Sequence, residues 1–205
     1  MEIFWQKTRN PIRLVNHVDL APSGYTPQVI VSEVMSNECR GSFPVERIKG
    51  FTWEDLLTND AIPLATHIDI GLVSLRQIQE IDKRFGLVLL DRNPQNIIVE
   101  IDGEGRLHQV TQVDLVYIYD RRYRGLREKY FDGQIGIDYN YSLSCDPSEK
   151  SCTRILKNVR NAALLRRGWE VKSGRLVDFI DMRFSDFYIC FRDAEQILLE
   201  ARKQT

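Results

Sequence analysis

The sequence is poor in the features that usually announce a function. It has four cysteines among 205 residues, at positions 39, 145, 152 and 190, and no two stand in a Cys-x-x-Cys spacing. A zinc ribbon or a dithiol redox motif is thereby excluded. Three scattered histidines, His17, His67 and His108, exclude a His-rich metal centre. The apolar runs are short, with Leu87-Val88-Leu89-Leu90 typical of them, far below the length that spans a bilayer. Met1-Glu2-Ile3-Phe4-Trp5 has neither the basic n-region nor the apolar stretch of a secretory signal. Charge of one sign is also lacking, since 28 Lys+Arg face 29 Asp+Glu for a formal net charge of −1. That balance argues against a nucleic-acid coat.

What is present fits a globular chain. The sequence is 43% hydrophobic and 28% charged, too apolar and too balanced for intrinsic disorder, and its length can bury a core. These features point to a soluble cytoplasmic protein with no membrane partner. Cys145 and Cys152 flank the polar stretch Asp-Pro-Ser-Glu-Lys-Ser, which a disulfide could close; in a reducing compartment both are expected as thiols.

Residues 1–27 carry turn formers and no long period, and read as an irregular lead-in with a short helix near Ile12–Leu20. The β-rich stretches Val29–Val31 and Phe43–Ile48 read as a hairpin. Thr52, followed at the third position by Asp55, marks a helix start. From His67 to Phe85 the apolar residues Ile68, Leu72, Leu75, Ile78, Ile81 and Phe85 recur every three or four positions, predicting a helix that Gly86 ends. Asp102-Gly103-Glu104-Gly105 lies between Asn96–Ile101 and Val110–Tyr119, which predicts a second hairpin. Residues 131–152 read as a long loop. Two helices follow, one from about Ile155 towards Gly168 and one capped by Ser185, with Tyr188, Ile189, Phe191, Ala194, Ile197 and Leu198 on its apolar face. The fold class is α+β, with short hairpins and a mainly helical C-terminal half.

The stretch that carries chemistry is Leu89-Leu90-Asp91-Arg92-Asn93-Pro94-Gln95-Asn96-Ile97-Ile98-Val99. An acid leaves a short apolar strand, and Asn96 opens the next. Asp114 follows inside Gln112-Val113-Asp114-Leu115-Val116, where an acid among apolar residues calls for a partner or a cation. A carboxylate at the start of the loop can take a proton from an attacking hydroxyl. The oxygens of Asn96 and Asp114 are hard donors suited to Mg²⁺. A metal there would neutralise charge on nucleotide phosphates.

This arrangement resembles the catalytic loop and metal-binding Asp of the protein kinase-like superfamily. The spelling of the loop is closest to that of phosphoinositide 3-kinase-like and HipA-like kinases. Phe43–Gly50, followed by Thr52–Leu57, is similar to the hinge strand and first C-lobe helix of such kinases. The predicted helix 67–85 falls where their long helix before the catalytic loop belongs. Ser23–Val29 resembles the segment that enters the strand before the hinge in aminoglycoside phosphotransferase-like kinases. Gly86–Asp91 and Val116–Asp120 resemble the ATP-binding half of phosphoribosylaminoimidazole-succinocarboxamide synthetase.

The resemblance covers about residues 24–120. It implies a reduced N-lobe with the hinge in residues 1–50 and a kinase C-lobe-like domain in 51–205. It further implies ATP held by the backbone of Glu46, Arg47 and Ile48, Asp91 as the catalytic acid–base residue, and Mg²⁺ on Asn96 and Asp114. Residues 1–28 contain no Gly-rich phosphate loop, and Lys7 is the sole lysine before Lys49. The alternative is therefore a non-catalytic kinase-like module, a pseudokinase, that binds a partner protein supplying the missing lobe. The basic runs Arg121–Lys129 and Arg154–Arg167 read as solvated faces, and nucleic acid is not an expected partner.

Overall fold

The computed structural model describes residues 3–7, 24–26, 42–113, 118–121, 146–165 and 189–205. They form an α+β structure of seven strands and four helices. Strands β1 (Ile3–Lys7) and β2 (Ser42–Glu46) pair antiparallel, with Lys7 opposite Ser42 and Ile3 opposite Glu46. The lead-in thus holds a strand where an irregular segment is expected, because Ile3-Phe4-Trp5 is a β-favouring run that finds a distant partner. Val29–Val31, the expected hairpin partner of Phe43–Ile48, and the helix near Ile12–Leu20 lie outside the described residues.

After β2 the chain bends at Gly50 (φ 122°), where a Cβ would sit 2.3 Å from the carbonyl oxygen of Val99. Only glycine allows both that backbone angle and that approach. Strand β3 (Phe51–Thr52) leads directly into helix α1 (Trp53–Leu57). Its expected cap is a full capping box: the Asp55 amide donates to Thr52 Oγ1, and the Thr52 amide donates to the Asp55 carboxylate. Trp53 is wholly buried, and its indole N–H donates to Nδ1 of the equally buried His67 at 3.0 Å.

Helix α2 (Leu64–Phe85) is the central element, 22 residues long and closed by Gly86 in the left-handed conformation (φ 66°) as its sequence predicts. It starts earlier than the apolar period does, directly after Pro63. Its buried face (Ile68, Ile70, Leu75, Ile78) meets helix α3 (Pro147–Leu165) and helix α4 (Phe191–Arg202). Gly71 faces both neighbouring helices with no room for a side chain: a Cβ there would lie 2.8 Å from Val159 Cγ2 and 3.0 Å from Leu198 Cδ1.

Strand β4 (Leu87–Leu89) pairs antiparallel with β7 (Ile118–Asp120), and β5 (Ile97–Ile101) lies between β3 and β6 (Leu107–Gln112) in a three-stranded antiparallel sheet. The hairpin at Asp102–Gly105 is present. Val110–Tyr119, however, is not one strand, because β6 ends at Gln112 and β7 crosses to β4.

The loop expected over 131–152 is cut short by α3, whose first two turns already hold Pro147–Cys152. Asp146 accepts from the Ser148 amide (2.8 Å), Pro147 is pre-set for a first helical position, and Glu149 favours the helix N-terminus. Helix α4 begins after Cys190, so Ile189 precedes it, and the expected cap Ser185 lies outside the described residues. Cys152 is a buried free thiol whose pKa burial pushes up to about 12. Among the described residues, no helix is long and apolar enough to cross a membrane.

Candidate functional site

Strand β4 delivers the chain to Leu90, and the loop that follows carries Asp91, part-buried, and Arg92, whose side chain turns back into the interior. Pro94–Asn96 then makes a single 3-10 turn after Asn93, with Pro94 at the first position, where no backbone N–H is needed. This turn reverses the chain into β5 and returns Asn96 to Asp91: Asn96 Nδ2 donates to Asp91 Oδ2 at 2.8 Å. Two of the candidate site residues therefore meet. At the other end of the hairpin the Val113 amide donates to the Asn96 carbonyl at 2.9 Å. Asp114, the third candidate and the next residue along the chain, lies outside the described residues.

The opposite oxygen of Asp91 is also engaged. Arg154, on the first half of α3, donates from Nη1 to Asp91 Oδ1 at 2.9 Å, with the carboxylate side chain 15% exposed and the guanidinium side chain 35%. The hinge candidates follow β2: Glu46 is its last residue and half-buried, Arg47 is exposed and Ile48 half-buried.

The sequence reading missed the loop's chief support, Arg92. Its side chain is wholly buried, with Nη1 donating to Gln112 Oε1 (2.8 Å) and Nη2 to the Ser74 carbonyl (2.8 Å) and Gln77 Oε1 (3.3 Å). All three acceptors are neutral, and burial lowers the guanidinium pKa to about 10. Arg92 Nε and Ser74 Oγ are buried without a hydrogen-bond partner among the described residues.

Two loop carbonyls, and that of Leu89 at the end of β4, are held by side chains in turn. Ser151 Oγ donates to Leu89 O, Gln112 Nε2 to Asp91 O (3.1 Å) and Asn158 Nδ2 to Arg92 O (2.9 Å). A segment without regular structure thereby satisfies its polar groups inside the protein. A signal for this existed in the sequence. Ser74 and Gln77 interrupt the most apolar part of α2, and buried polar groups at such positions need partners from elsewhere.

The donor chemistry suits Mg²⁺ in part. Asp91 and Asn96 supply hard oxygens, but among the described residues no group of three or more His, Cys, Asp or Glu side chains could hold a metal. The remaining acid would have to be Asp114. A groove of about 520 Å³ lies elsewhere, between the N-terminal half of α2, the β5–β6 turn and the end of α4. Its cations Arg76, Arg106 and Arg202 are paired with Glu195, Asp102 and Asp69. No protein-family model, curated protein or solved structure matches the chain.

Proposed function

We propose that the chain is an ATP- and Mg²⁺-dependent phosphotransferase of kinase-like fold, with a C-lobe-like body and a reduced N-lobe. The observation that carries this reading is the 2.8 Å contact between Asp91 and Asn96, together with the Val113–Asn96 backbone bond that brings the chain to Asp114. The order of the parts supports it as well: a strand leading to Glu46–Ile48, a capped short helix, the long helix α2, the loop and then the hairpin.

In this reading Asp91 accepts the proton of the attacking hydroxyl, or orients that hydroxyl, and Asn96 holds Asp91 Oδ2 in place until substrate arrives. Asn96 and Asp114 would hold Mg²⁺, which when bound offsets charge on the nucleotide phosphates. The backbone around Glu46, Arg47 and Ile48 would take the adenine edge. Arg92 acts through the loop, fixing the direction in which Asp91 leaves β4.

Asp91→Asn is expected to keep Mg²⁺-dependent ATP binding and to slow ATP turnover by about 100-fold, the usual contribution of a positioned acid–base group. Turnover unchanged in that variant would sink the assignment of Asp91. A second reading, a non-catalytic kinase-like module that binds a partner protein, is favoured by the Arg154–Asp91 ion pair, which already satisfies the carboxylate. In that case Asp91→Asn changes no activity, and Asp114→Asn leaves partner affinity untouched.

A further inference from the structure

Two guanidinium groups attach to the loop: Arg92 is part of it, and Arg154 reaches it from α3 to bond the Asp91 carboxylate. Arg92 is wholly buried and takes its bonds from neutral oxygens, so nothing it touches cancels its charge. Arg154 contacts Asp91 through Nη1 alone. Arg121, by contrast, spends Nε and Nη2 on the two oxygens of Asp82 (2.6 and 2.8 Å) and donates from Nη2 to Asp146 as well (2.7 Å).

The arginine fork is built for two parallel bonds to an oxyanion. Arg121 uses that capacity within the protein, while Arg154, a third exposed, leaves most of it unused. Asp91 has its second oxygen bound to Asn96 and its loop pinned by Gln112 and Asn158, so it cannot turn to complete a fork with Arg154. Of the two partners, the long side chain at the surface of α3 is the one that can move.

We infer that Arg154 is the ligand of an oxyanion site beside the loop, and that Asp91 is the internal competitor for its guanidinium. An incoming phosphate or carboxylate group takes the Arg154 fork and releases Asp91 Oδ1. The site stands on the ion-pair geometry, and so it goes beyond the phosphotransferase reading. Within that reading it has two sources of ligand, the terminal phosphate of the nucleotide or an anionic group on the phosphoryl acceptor.

The test is calorimetric titration of the 205-residue chain with inorganic phosphate, for wild type, Asp91→Asn and the double variant Asp91→Asn/Arg154→Gln. Removing the competitor is expected to tighten phosphate binding about fivefold, the scale of a partly exposed ion pair. The double variant is expected to lose that binding. A gain of affinity cannot come from a misfolded protein, so the Asp91→Asn arm keeps the result interpretable.

Phosphate affinity unchanged or weakened in Asp91→Asn would overturn the inference, as would binding that survives in the double variant. Titration in the presence of MgATP separates the two sources. Competition assigns the site to the nucleotide phosphate, and undiminished phosphate binding assigns it to the acceptor; both uphold the site.

Discussion

Arg92 decides more than any other single residue. A buried charge without a counter-ion is costly, and it is tolerated here because three oxygens converge on it. Lysine keeps the charge but has one ammonium point where Arg92 has a planar fork, and it cannot reach acceptors on both α2 and β6. Arg92→Lys is expected to lower stability by about 3 kcal/mol, the scale of losing bonds to a buried charged group. Denaturant unfolding monitored by circular dichroism reads it, and a loss below about 1 kcal/mol would show that the network is not essential.

The lowered pKa has a defined sign. A base whose folded-state pKa is depressed to about 10 destabilises the protein at every pH below that value, and the penalty shrinks as pH rises from about 10 towards the ordinary guanidinium pKa. Cys152 works the opposite way. Its thiol favours the fold below the ordinary thiol pKa, and that stabilisation is lost as pH rises through about 12.

At the scale of elements, local signals were legible where each stands within a few residues of its effect. Thr52 with Asp55 specifies the start of α1, Gly86 the end of α2, and Asp102–Gly105 the hairpin. Elements set by distant partners were not legible. Strand β1 is recognisable only through β2, and β7 through β4, pairings that local periodicity does not encode. The start of α3 was written in Asp146-Pro147-Ser148-Glu149, although the polar run disguised it as a loop.

The candidate site divides the same way. Asp91 and Asn96 share one short loop and were visible together, whereas Arg92 and Arg154 depend on helices far away in sequence. Gly71 was silent too, since a glycine inside a helix signals nothing until the neighbouring helices are placed. Gly71→Leu is expected to destabilise by about 2 kcal/mol through overpacking against Val159 and Leu198. A thermal melt matching wild type would show that α3 and α4 can move apart freely.

At the scale of the whole molecule, α2 organises the fold. Its first half carries α4, its middle holds Arg92, and its last turn receives Arg121 from the end of β7. Arg121 joins Asp82 of α2 to Asp146 before α3, so one guanidinium ties three parts of the chain together. Burial raises the Asp146 pKa, but the bonds from Arg121 and Ser148 outweigh it and leave the carboxyl below its usual value. Its contribution is therefore present above the ordinary carboxylate pKa and is lost as pH falls through the depressed value. Arg121→Ala is expected to cost about 1 kcal/mol near neutral pH and to flatten the loss of stability on acidification. Parallel pH profiles for variant and wild type would count against the clamp.

The loop at Asp91 is proposed to serve metal-dependent nucleotide chemistry. The most direct test is isothermal titration of the 205-residue chain with ATP, with and without Mg²⁺, for wild type, Asn96→Ala and Asp114→Asn. Binding is expected to require Mg²⁺ and to disappear in Asp114→Asn, with weakening in Asn96→Ala and no comparable loss of fold stability. Absence of binding at millimolar ATP, or equal binding in Asp114→Asn, would contradict it.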